Sequence, residues 1–63
     1  MDYKLLGKNI KEARKSLKMT QEQLAEQIDV STVFISQIEN GSRKPSLETI
    51  YKISIALKIK IDT

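Results

Sequence analysis

Residues 20–41 read TQEQLAEQIDVSTVFISQIENG, and two short helical patterns lie back to back within them. Thr20 stands before the first as an N-cap, and Gln23 three places on completes a capping box. Met19, just ahead of that cap, is placed to staple onto Leu24. The helix then buries Leu24, Ala25 and Ile28. Asp29-Val30 makes a turn, Ser31 caps the second helix, and Val30 and Ile35 repeat the staple. Ile35 and Ile38 form the buried side of this second helix. Asn40-Gly41 ends it, with Gly41 a natural C-terminal stop. The spacing predicts a helix-turn-helix over about residues 20–40.

Outward from that motif, residues 4–18 predict another helix. Leu6, Ile10, Ala13 and Leu17 fall on one apolar stripe, and Lys8, Lys11, Lys15 and Lys18 lie on the rest of its surface. Downstream, Gly41-Ser42-Arg43-Lys44-Pro45 is a short basic loop. Pro45 blocks helical continuation and Ser46 caps a fourth helix. Its expected buried face is Leu47, Ile50, Tyr51, Ser54 and Leu57, with Ile53 at the border. Lys58 to Ile61 alternates like a short strand, but no partner strand exists, so an extended segment packing Ile59 on the bundle is expected. The architecture is all-α: a compact bundle of four or five short helices in one domain over residues 1–63.

Composition narrows the function. The 63 residues are 40% hydrophobic but only 5% aromatic, so the core must be aliphatic. Cys and His are both absent, which removes disulfides, thiolate metal sites, and the commonest general base and metal ligand. With no phosphate-cradling glycine loop and no paired acids beyond a solvated helix's complement, an enzyme is rejected; no metal or cofactor is expected. No apolar run approaches the roughly 20 residues of a membrane span, and charges interrupt the N-terminal apolar residues where a signal peptide would be continuous. A soluble, cytoplasmic protein with no membrane contact is expected.

Net charge is +3, unevenly spread. Residues 1–20 carry six Lys/Arg against two acids, residues 21–40 none against four, and residues 41–63 five against two. Any attraction for phosphate must therefore come from the segments flanking the motif.

Opposite Ile35 and Ile38, the second motif helix presents Thr32, Val33, Ser36 and Gln37, small and uncharged. That face suits base edges in a major groove: a primary amide can bond adenine N6 and N7 together, and methyl groups can meet thymine. An ordinary solvated helix face carries the same residue types, so the face alone leaves both readings open. Arg43 and Lys44 are open in the same way, between phosphate contacts and plain solubilising charges. Phe34 packs on Ile38 or lies at the rim of the face.

The run LAEQIDVSTVFISQIENGSRKPSLETIYKIS, with TQEQLA before it, closely resembles the Cro/C1-type (XRE) helix-turn-helix family of phage repressors and small bacterial regulators. The similarity spans about residues 6–62. It implies a lambda-repressor-like bundle, usually of five helices, that binds operator DNA as a two-fold dimer. Carried onto this chain, it makes Thr32, Val33, Ser36 and Gln37 the base-reading residues. Gln21, Asn40, Ser42, Arg43 and Lys44 become phosphate contacts, and Arg14 with Glu39 a structural ion pair joining helix 1 to the end of helix 3. Lys18 and Asp29 stand where the family often has glycine, so left-handed backbone is expected at both. Asp62-Thr63 falls where a fifth helix would start, so a fifth helix or a larger parent with a sensor domain is an open expectation.

Ile55 lies off the buried stripe of helix 4. With Tyr51, Ile59 and Ile61 it could form an exposed dimer interface, or Ile55 and Ile61 merely pack on the tail or on a missing fifth helix. The function implied is a sequence-specific transcriptional regulator, a repressor on a palindromic operator, with double-stranded DNA and a second copy as partners. A protein-interaction module of antitoxin type is the competing reading, to which the acidic motif helices lend support.

Overall fold

The computed structural model describes residues 1–59. Four helices follow one another: α1 Tyr3–Ser16, α2 Gln21–Gln27, α3 Thr32–Glu39 and α4 Leu47–Leu57. There is no strand among the described residues. Every helix starts on a side-chain oxygen. Asp2 accepts the backbone N–H groups of Lys4 and Leu5 at 3.0 and 3.1 Å, so α1 begins one residue earlier than the apolar stripe indicates. Thr20 and Gln23 form the reciprocal box at 3.0 and 2.9 Å. Ser31 accepts from the Phe34 amide at 3.0 Å and Ser46 from the Thr49 amide at 3.1 Å.

The helix ends share one device. In each, a residue at φ near +60° to +80° follows the last turn, at Lys18, Asp29, Gly41 and Lys58. The next amide then reaches back five residues: Met19 to Arg14, Val30 to Ala25, Ser42 to Gln37 and Ile59 to Ser54, all at 3.0–3.1 Å. These are Schellman motifs, which satisfy carbonyls the helix leaves open. Met19, Val30 and Ile59 then fold onto the core as the hydrophobic closure of that motif. The fourth closure residue is Ser42, exposed and polar. Left-handed backbone at Lys18 also explains why α1 stops at Ser16 and not at residue 18.

The core is aliphatic: Ile10, Leu24, Ala25, Ile28, Ile35, Ile38, Ile53 and Leu57 form one cluster. Two parts of the expected core differ. Leu17, in the C-terminal turn of α1, is exposed. On α4 the buried face is Ile50, Ile53, Ser54 and Leu57, with Ile53 the least exposed of them, while Leu47 and Tyr51 are 73% and 63% exposed. Helix α4 is apolar round most of its circumference, so periodicity admits two stripes. Packing against α1 and α2 selects the one that contains Ile50, Ile53 and Leu57. Leu47, Tyr51 and Ile55 are left as a second stripe, roughly 110° round the helix at 3.6 residues per turn.

Candidate nucleic-acid interface

Helix α3 turns Ile35, Ile38 and Glu39 inward. At 100° per residue Val33 and Gln37 lie opposite that face, flanked by Thr32 and Ser36. Thr32 and Val33 are exposed; Ser36 and Gln37 are half-buried by their neighbours. The four side chains make no hydrogen bond to the rest of the described protein, so their polar groups are free for a ligand. Phe34 is half-buried against the core cluster at the edge of this face.

The loop after α3 is tied to the same helix. The Gln37 carbonyl accepts the Ser42 and Arg43 amides at 3.0 and 3.2 Å and the Ser42 hydroxyl at 3.3 Å. Asn40 Oδ1 takes the Ser42 amide at 2.9 Å, which leaves the Asn40 NH₂ pointing away from that bond and free to donate. Arg43 lies over the Phe34 ring, 5.2 Å from its centroid, and Lys44 lies 5.8 Å from the centroid of Tyr3. The loop cations are thus seated on aromatic faces. A segment that the sequence marks only as short and basic is held in fixed register with the outer face of α3.

Behind the face lies a buried polar knot. Arg14 Nε donates to Glu39 Oε2 at 2.7 Å and Nη2 to Oε1 at 3.0 Å, while Nη1 donates to the Met19 carbonyl at 2.6 Å. Gln21 Nε2 donates to Glu39 Oε1 at 3.1 Å. Arg14 thereby joins the end of α1, the start of α2 and the end of α3. Among the described residues no buried side-chain polar atom lacks a partner, so the knot is fully satisfied, as a low-dielectric site requires. Gln21 is half-buried and engaged on Glu39; its remaining amide hydrogen and the backbone N–H groups at the α2 start are the part still available to an anion.

Two glycines set how these helices meet: Gly7, which the sequence does not single out, and Gly41, expected only as a helix stop. Gly7 of α1 lies against the α3 end: a Cβ there would clash with the Ile38 carbonyl and stand 2.6 Å from that of Glu39. Gly41 faces α1 in return, since a Cβ on it would stand 2.9 Å from Lys4 Cα. The sequence signal for their contact role is only that these are the chain's two glycines.

Tyr51 and Ile55 of the expected dimer interface are 63% and 60% exposed on α4. Ile59 is half-buried against the core, and Ile61 lies outside the described residues, as do the tail beyond Ile59 and the start of any fifth helix.

Two capped helices joined by a four-residue turn, with an unpartnered polar outer face on the second, define a helix-turn-helix DNA-binding domain. The helix-turn-helix family pattern matches residues 10–63. The chain belongs to the Cro/C1-type (XRE) helix-turn-helix family, whose members are DNA-binding transcription regulators. It is 42% identical over 57 residues to control protein C.BamHI of Bacillus amyloliquefaciens, covering 89% of this chain and 70% of that one. It is 39% identical over 56 residues to the immunity repressor protein of Bacillus phage phi105, covering 89% of this chain but only 39% of the repressor. Among solved structures, the restriction-modification controller protein C.AhdI from Aeromonas hydrophila superposes with a TM-score of 0.89 at 30% identity, over 94% of this chain and 89% of that one.

Proposed function

We propose that this regulator acts as a repressor that reads a palindromic operator as a homodimer, with α3 in the major groove. The observation that carries the reading is the α3 outer face: Thr32, Val33, Ser36 and Gln37 project together, and the Gln37 carbonyl anchors the loop that bears Arg43 and Lys44. Base reading and backbone gripping are then set by one rigid unit. Gln37 reads adenine through its amide, Thr32 and Val33 offer methyl groups to thymine, and Ser36 adds a hydroxyl. Asn40, Ser42, Arg43, Lys44 and the α2 start at Gln21 contact phosphates and fix register. Arg14 and Glu39 hold the unit from behind. The similarity to a phage immunity repressor and to control proteins supports repression or control of transcription as the outcome, exercised on DNA in the cytoplasm.

The second copy would dock through the exposed stripe of α4, Tyr51 and Ile55 extended by Leu47, with Ile59 and Ile61 added from the sequence expectation. A two-fold dimer sets the reading helices about 34 Å apart, one turn of duplex.

Selection of the purified chain on a randomised duplex pool, with sedimentation alongside, tests the reading. Enrichment of a palindrome bound by a dimer is expected. Gln37→Ala should cost about 1–3 kcal/mol on that site and relax preference at one base pair. Equal weakening of every sequence by Gln37→Ala, or no enrichment at all, would overturn it.

A further inference from the structure

Residues 21–40, which include both motif helices, contain no Lys or Arg and four acids. A polyanion approaching α3 must therefore be held by cations from elsewhere, and the fold gathers three at one place. Gly41 brings the start of α1 against the loop after α3: a Cβ on Gly41 would stand 2.7 Å from Lys4 Cγ. Tyr3, the residue before Lys4, carries Lys44 over its ring, and Phe34 carries Arg43. Lys4, Arg43 and Lys44 are all exposed. Among the described residues the salt bridges are Arg14–Glu39 and Lys52–Glu48, so none of the three cations is neutralised by a close carboxylate. Asp2, the nearest acid in sequence, spends Oδ1 on the α1 cap.

We propose that the first turn of α1 is a phosphate-contacting element. Lys4 joins Arg43 and Lys44 in a cluster that grips the DNA backbone at the C-terminal end of α3, and Tyr3 is the positioning residue for Lys44. The proposal rests on the operator reading above and adds to it a contact from outside the motif and its loop. The occupant is duplex DNA because the cluster is unpaired, wholly cationic and continuous with the loop beside the α3 face. Its aromatic seats restrict two flexible cations before any ligand arrives, which lowers the ordering cost of binding.

The test is the salt dependence of binding to the palindrome enriched from the random pool. Each neutralised phosphate contributes about 0.9 to the slope of log K against log salt. Lys4→Gln should reduce the slope by about that amount, as Lys44→Gln should, with sequence preference unchanged. Between 50 and 200 mM salt the variant would then lose roughly 3.5-fold less affinity than wild type. Lys52→Gln, on α4 and paired with Glu48, should leave the slope as it is. Tyr3→Leu should weaken binding in the wild-type background and have little effect in Lys44→Gln, whereas a merely structural role would weaken both backgrounds equally. If the palindrome is bound and Lys4→Gln keeps the wild-type slope, the α1 contact is wrong while the operator reading stands. If no duplex is enriched, both fall together.

Discussion

Replacing Arg14 by Met should remove a large part of this domain's stability, although the residue touches nothing in the reading face. The Glu39 side chain is 2% exposed and receives three hydrogen bonds, two from Arg14 and one from Gln21. Arg14→Met leaves a buried carboxylate with only the Gln21 amide and frees the Met19 carbonyl. Removing one partner of a buried pair costs about 3–5 kcal/mol. At about 0.05–0.15 kcal/mol per residue, a domain of this size holds roughly 3–9 kcal/mol in all. With a urea m-value near about 1 kcal/mol/M, the midpoint should fall by roughly 3 M or more. The double variant Arg14→Met/Glu39→Leu should recover most of the loss, because well-packed apolar replacements of a buried pair are close to neutral. Urea unfolding followed by circular dichroism across all four proteins of the cycle measures the coupling. A cost below about 1 kcal/mol for Arg14→Met would mean that the pair behaves as a solvent-exposed one, and the account of α3 positioning would be wrong.

Gly7→Ala should destabilise by about 1–3 kcal/mol, since overpacking against the α3 carbonyls outweighs the better helix propensity of alanine; a rise in melting temperature would refute the close approach. Lys18→Gly should stabilise by about 0.5–1 kcal/mol, because a left-handed φ is costly for a residue with a Cβ and free for glycine. A thermal melt with no gain would mean that the turn is not strained. Ile55→Glu should shift sedimentation from dimer to monomer and weaken operator binding while leaving the melting curve nearly unchanged, since the side chain is 60% exposed. A dimer that persists would remove α4 from the interface.

What the sequence discloses here follows from how local each feature is. Thr20, Ser31 and Ser46 announce helix starts because a cap is written within three residues. Lys18 and Asp29 announce strain because a family glycine is missing there. Lys58 does the same work at the end of α4, but no stop pattern follows it to draw notice. The α3 face was legible because a single short helix carries both its buried and its outward residues. On α4 apolar side chains crowd both stripes, so only the tertiary contacts decide that Ile53 goes in and Tyr51 stays out.

The junction of α1 with α3 is the opposite case, and it matters most for the proposed interface. Both glycines of the chain lie there, and neither belongs to a pattern that points at the other. Gly7 admits the last carbonyls of α3, and Gly41 admits the backbone of Lys4 at the cost of one left-handed residue that glycine supplies without strain. Two absent side chains, thirty-four positions apart, set the distance between the first turn of α1 and the loop that follows α3. A methyl group at Gly41 would therefore do two things at once. It would strain a φ of 81° and press Lys4 away from Arg43 and Lys44. Gly41→Ala should then weaken operator binding beyond what lost stability explains, and the excess should vanish in a Lys4→Gln background. An excess that survives there would place the effect in the loop itself and not in α1.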